Sequence, residues 1–156
     1  MLGISACLGG IFCRYDGKTQ KIAELAKLVS ENKAVLVCPE VMGGLSTPRD
    51  PAEIIGGDGF DVWNGKARVV SCQQVDVTTA YKTGAIVAYE KLKAAGISRL
   101  ILKERSPSCG SRQIYDGTFS GNQQKGVGVA TAYFINQGLE VYSENNYHLL
   151  SIIAAD

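Results

Sequence analysis

Four short apolar runs do most to limit the fold: Leu2 to Ala6, Ala34 to Val37, Leu100 to Leu102 and Leu139 to Val141. None is long enough for a helix, and glycine, proline or polar residues soon interrupt each one. This is the pattern of buried strands. Stretches with helical spacing lie between them. Thr19 to Ser30 repeats apolar side chains at Ile22, Leu25, Ala26, Leu28 and Val29, which form one helical face. Asp76 is placed to cap a long helix reaching about Ala95, stopped by Gly96, with Ala80, Ala85, Ile86, Ala88, Tyr89 and Leu92 on its apolar face. Val127 to Gln137 reads as a helix closed by Gly138, and His148 to Ala154 as a short last one. Strands alternating with helices predict a Rossmann-like α/β fold, with a mostly parallel sheet and helices on both faces. A length of 156 residues suits a single domain over 1–156.

Two stretches carry neither period. Met42 to Lys66 is rich in glycine and proline and reads as a structured loop. Within it a β-hairpin is expected to turn at Asn64–Gly65 and return along Ala67 to Cys72. Glu104 to Gly121 is polar and glycine-containing. Connections of this length inside a compact fold usually serve function.

A parallel sheet binds ligands beyond the carboxyl ends of its strands. Cys7 and Cys38 each follow a predicted strand directly, and Cys109 lies a few residues past a third. Three cysteines remote in sequence are therefore expected at one edge. No C-x-x-C pair occurs, and the single histidine, His148, excludes sites that need several imidazoles. The start of the chain resembles no export leader and no apolar stretch is long enough for a membrane span, so a cytoplasmic, reducing setting is expected. There, metal binding or catalysis is a better use for five cysteines than disulfides. A net charge of +1 advertises no stable nucleic-acid partner. Three thiolates suit a soft metal centre with one position free. Zinc with a water ligand, or simple burial of the cysteines, would fit the spacing too. The polar, glycine-rich surroundings of all three weigh against burial alone.

The motifs that carry the cysteines, taken together, resemble the thiouracil desulfidase family. They are Ser5-Ala6-Cys7-Leu8-Gly9, Cys13-Arg14-Tyr15-Asp16-Gly17, Cys38-Pro39-Glu40 and Gly43-Gly44-Leu45 with Pro48-Arg49 and Pro51. Asp76-Val77-Thr78, Lys103 to Gly110 and Tyr115-Asp116-Gly117-Thr118-Phe119 complete the series. The resemblance implies a [4Fe–4S] cluster on Cys7, Cys38 and Cys109 with its fourth iron open. It also implies non-redox removal of sulfur from a small thiolated nucleobase such as 2-thiouracil, giving the oxo compound and hydrogen sulfide. Glu40 and a serine, Ser106 or Ser108, are the implied catalytic residues.

Glu40 stands two residues past a ligand and is suited to act as general base for water. Tyr15 and Phe119 are candidates to stack on a flat heterocycle or to close the core. Arg49, held between prolines, is a candidate substrate contact. Arg14, Lys103 and Arg105 add positive charge beside an anionic centre. Asp16 and Asp116 read as turn residues, Cys13 stays outside the ligand set, and Cys72 reads as packing. The remaining alternatives are another sulfur-transfer or tRNA-thiolation-related enzyme, and a non-catalytic iron–sulfur or zinc protein. No G-x-G-x-x-G or P-loop motif supports a nucleotide-binding module.

Overall fold

The computed structural model describes residues 1–150. In chain order the elements are β1 (Leu2–Ser5), α1 (Ala23–Ser30), β2 (Ala34–Val37), α2 (Pro39–Met42), β3 (Ala52–Ile55), α3 (Gly59–Trp63) and β4 (Arg68–Ser71). They continue with α4 (Thr78–Ala94), β5 (Arg99–Leu102), β6 (Gln113–Tyr115), β7 (Gln123–Lys125), α5 (Val129–Asn136) and β8 (Glu140–Ser143). The central sheet has the order β2-β1-β5-β8, and every pair in it is parallel. β2 lies on one side of β1, while β5 and β8 lie on the other. The winding therefore reverses at β1, which opens a crevice beyond its carboxyl end.

Alternation along the strands sends side chains to two cores. Leu2, Ile4, Ala34 and Ile101 meet Leu25 and Leu28 of α1 on one face. Val37, Leu100 and Leu102 meet Ala88 and Leu92 of α4 and Phe134 of α5 on the other. Helices thus cover both faces, and burial on both sides is why β1 and β5 read as mainly apolar runs, while the outer strand β8 carries the exposed Glu140. No helix among the described residues is long and apolar enough to cross a membrane.

Several expectations change in detail. α1 starts at Ala23 because the residues before it are bonded to the Cys7 turn: Gln20 N–H donates to Cys7 O (3.1 Å) and Ile22 N–H to Leu8 O (2.9 Å). Asn64–Gly65 does not turn a hairpin. It closes α3, whose first residues are held by an Asp58–Asp61 capping box. β3 and β4 do pair antiparallel, but with this helix between them. Ile86 is exposed, because Tyr81, Gly84, Ala85, Ala88 and Leu92 take the inner face of α4. Asp76 does cap Thr78 N–H (2.9 Å), one residue before the geometric N-cap. The hairpin of β6 and β7 was not foreseen. The helix expected over His148 to Ala154 lies partly outside the described residues; within them, Tyr147–Leu149 forms one 3-10 turn.

Proline after Cys38 ends β2 as expected and opens α2, where a first-turn proline sacrifices no helical hydrogen bond. α2 packs against α4 through glycines. A Cβ on Gly84 would collide with the Pro39 carbonyl, and one on Gly43 with the Ala80 carbonyl. This close approach fixes the position of Glu40.

Candidate active site

A cavity of about 660 Å³ opens where β1, β2 and β5 end. Cys7, Cys38 and Cys109 all face it, as do Glu40 and Ser106. Each sulfur is placed by a local device. Cys7 lies in a turn closed by Leu8 N–H to Ser5 O (2.9 Å) and Gly9 N–H to Ala6 O (3.1 Å). Cys38 is the extended residue before α2. The Cys109 loop is organised by the buried carboxylate of Glu104. Its Oε1 accepts the N–H groups of Ser111 (2.7 Å), Arg112 (3.0 Å), Gln113 (3.2 Å) and Arg105 (3.3 Å), and its Oε2 accepts the Ser111 hydroxyl (2.8 Å). These bonds outweigh the cost of burial and hold the Glu104 pKa below its ordinary value.

Glu40 is held from two sides. Arg49 donates to its Oε2 through Nε (2.9 Å) and Nη2 (2.6 Å), and the Ser106 hydroxyl donates to Oε1 (3.1 Å). Both members of the ion pair are largely buried, at 8% and 13% side-chain exposure. Burial alone would lower the Arg49 pKa, but the facing carboxylate raises it, so the guanidinium stays charged. Ser106 Oγ itself accepts the N–H groups of Ser108 (3.0 Å) and Cys109 (3.1 Å). Its lone pairs are therefore engaged, and its proton points at Glu40. Tyr81, 3% exposed, completes this wall behind Glu40, and burial keeps its phenol protonated.

The thiols are crowded. The Cys38 pKa is pushed up, first by its hydrogen bond with Cys13 and then by burial. That of Cys109 is raised mainly by burial and next by the Glu40 charge. For Cys13 the bond with Cys38 lowers the pKa, but Cys7 and burial outweigh it and push it up to about 11. Thiolates in this chamber need a cationic centre to offset their charge.

Of the other sequence candidates, Tyr15, Arg49 and Phe119 all line the chamber, and Tyr15 and Phe119 stand at its mouth, 41% and 39% exposed. Arg14, Lys103 and Arg105 line it as well. Lys103 is paired with Glu144 (2.8 Å). Ser108 is not on the wall: it is fully buried behind Cys109. Cys13 and Cys72 both reach the chamber. Cys13 is buried beside Cys38, whose thiol donates to the Cys13 carbonyl (3.9 Å), whereas Cys72 is exposed rather than packed. Asp16 and Asp116 close turns by accepting the N–H groups of Lys18 (2.9 Å) and Thr118 (3.0 Å).

A model of the 2-thiouracil desulfurase family matches residues 2–146. The chain belongs to that family. A relative of this desulfurase-family chain, the uncharacterized protein YbbK of Bacillus subtilis (strain 168), is 52% identical over 145 residues, covering 93% of this chain and 96% of the relative. The solved structure of a [4Fe-4S]-dependent thiouracil desulfidase, TudS, superposes with a TM-score of 0.86 at 40% identity, covering 99% of this chain and 97% of that one. Sequence reasoning missed Tyr81, Glu53 and Glu104 around this family's chamber. Only Glu104 left a trace, as a member of the Lys103 to Gly110 motif.

Proposed function

We propose that this chamber removes sulfur from a thiolated pyrimidine such as 2-thiouracil, replacing C=S by C=O and releasing hydrogen sulfide. Cys7, Cys38 and Cys109 would hold a [4Fe–4S] cluster, the group on which the related desulfidase TudS depends. The residues present fit that group. Among the described residues, no three His, Cys, Asp or Glu side chains converge as ligands of one metal ion; the three thiols do line one chamber, and thiolates are the ligands such a cluster takes. Ser108 Oγ is buried without a hydrogen-bond partner next to Cys109, and a bound thiolate would supply its acceptor. Bound there, the cluster supplies Lewis acidity towards the substrate sulfur.

The protein's own groups do the rest. Arg49 occupies Oε2 of Glu40; Oε1 accepts the Ser106 hydroxyl with one lone pair and keeps a second to take a proton from the attacking water. Ser106 orients Glu40 and ties it to the backbone of the Cys109 loop, so carboxylate and ligand keep one geometry. With both lone pairs engaged, Ser106 is a positioning residue and not a base. Tyr15 and Phe119 offer flat faces at the mouth to hold the ring and exclude water around it.

The observation that carries this reading is the shared wall: Cys7, Cys38, Cys109 and a donor-held carboxylate in one cavity at the sheet's switch point. After anaerobic reconstitution the protein is expected to convert 2-thiouracil to uracil with one sulfide released per turnover. Glu40→Gln should lose about a hundredfold or more of that rate while keeping its iron. Full activity in that variant would remove Glu40 from the reaction. A loaded wild type inert towards thiolated pyrimidines would overturn the reading.

A further inference from the structure

Glu53 faces the chamber from β3, and nothing in the reaction above uses it. Its Oε1 accepts two backbone N–H groups, from Gly117 (2.9 Å) and Phe119 (3.2 Å). Both lie in the tip between β6 and β7, a segment remote in sequence. The tip rests directly on β3: Gly117 has φ +91°, and a Cβ there would stand 2.7 Å from the Ile54 carbonyl. Phe119 itself holds φ +55°, a left-handed conformation that a bulky side chain seldom adopts without compensating contacts. The bond from its N–H to Glu53 is one such contact. Its ring lines the same chamber as the cysteines.

Resting on the function proposed above, we infer that Glu53 is a positioning residue that fixes Phe119 as a wall of the substrate slot. It sets how well a ring is held, and so acts on KM more than on kcat. The role needs an acceptor oxygen and not a negative charge, because among the described residues no ion pair involves Glu53. Glutamine keeps such an oxygen and alanine does not. This separates positioning from proton transfer, in which glutamine would fail as badly as alanine.

The test combines amide hydrogen exchange on the purified protein with 2-thiouracil kinetics on the reconstituted protein. In Glu53→Ala, exchange at Gly117 and Phe119 should speed up about five- to tenfold, and KM should rise by a similar factor with kcat within about twofold. Glu53→Gln should restore both readouts to within about twofold of wild type. Phe119→Ala should raise KM as well, and adding Glu53→Ala to it should raise KM no further, since the two act through one wall. Unchanged exchange in Glu53→Ala, loss of kcat in Glu53→Gln, or additive KM effects would each overturn the inference. A wild type without turnover would overturn the function reading alone, because the exchange measurement still decides whether Glu53 holds the tip.

Discussion

Arg49 gives two of its N–H groups to a single Glu40 oxygen and others to Ser46 O (3.1 Å) and Thr47 Oγ1 (3.2 Å). Only a planar fork satisfies that set. Arg49→Lys keeps the charge but not the geometry, and sulfide release should fall about tenfold or more with iron content unchanged. Glu104 is the second residue on which the site depends. Glu104→Gln should destabilise the fold by about 2 kcal/mol at neutral pH in urea unfolding, since several donors lose a charged acceptor. The sign of its pH dependence follows from its lowered pKa. The stabilisation is complete above the ordinary value of 4.5 and drains away as pH falls through the lower, folded value. Wild type should therefore lose more stability than Glu104→Gln on acidification below about pH 4.5; parallel curves would contradict this role. That Cys7, Cys38 and Cys109 share a chamber with Glu40 was legible because each cysteine lies beyond the carboxyl end of a strand and Glu40 stands two residues past Cys38. The choice between Ser106 and Ser108 was not, because side-chain direction inside a Ser-Pro-Ser turn depends on contacts with Glu40 and α5 that sequence spacing does not encode.

At the scale of elements, the decisive contact is that of α2 with α4. Gly84 lies against the Pro39 carbonyl with no room for a methyl group. Gly84→Ala should cost about 1–3 kcal/mol of stability and also depress activity, because relief of the clash moves the short helix that carries Glu40. Urea unfolding and sulfide release measure the two effects; an alanine variant with native stability and rate would show that the helices are free to shift. The apolar strands and the long helix were legible from periodicity. The β6–β7 hairpin was not: Gln113-Ile114-Tyr115 and Gln123-Gln124-Lys125 show no apolar alternation, since Ile114 alone is buried there and tertiary contacts hold the rest. Asn64–Gly65 misled because the same dipeptide that turns a hairpin also ends a helix, as it does here after α3.

Across the whole molecule, one topological fact organises the chemistry. The sheet reverses its winding at β1, and the loops after β1, β2 and β5 each bring one cysteine to the same crevice. The strand order was inferable only as a class, but the rule that ligands gather beyond carboxyl ends was enough to place all three sulfurs together. What the sequence left open is the crowding there, with the buried Cys13 beside the half-buried Cys38 as a further thiol. The most direct test of the proposed centre is metal and sulfide analysis after anaerobic reconstitution, on the wild type and on single Cys→Ser variants. About four irons and four sulfides per chain are expected in the wild type, in Cys13→Ser and in Cys72→Ser, with loss of the centre in Cys7→Ser, Cys38→Ser and Cys109→Ser. One zinc per chain, or a centre that survives Cys7→Ser and is lost in Cys13→Ser, would contradict it.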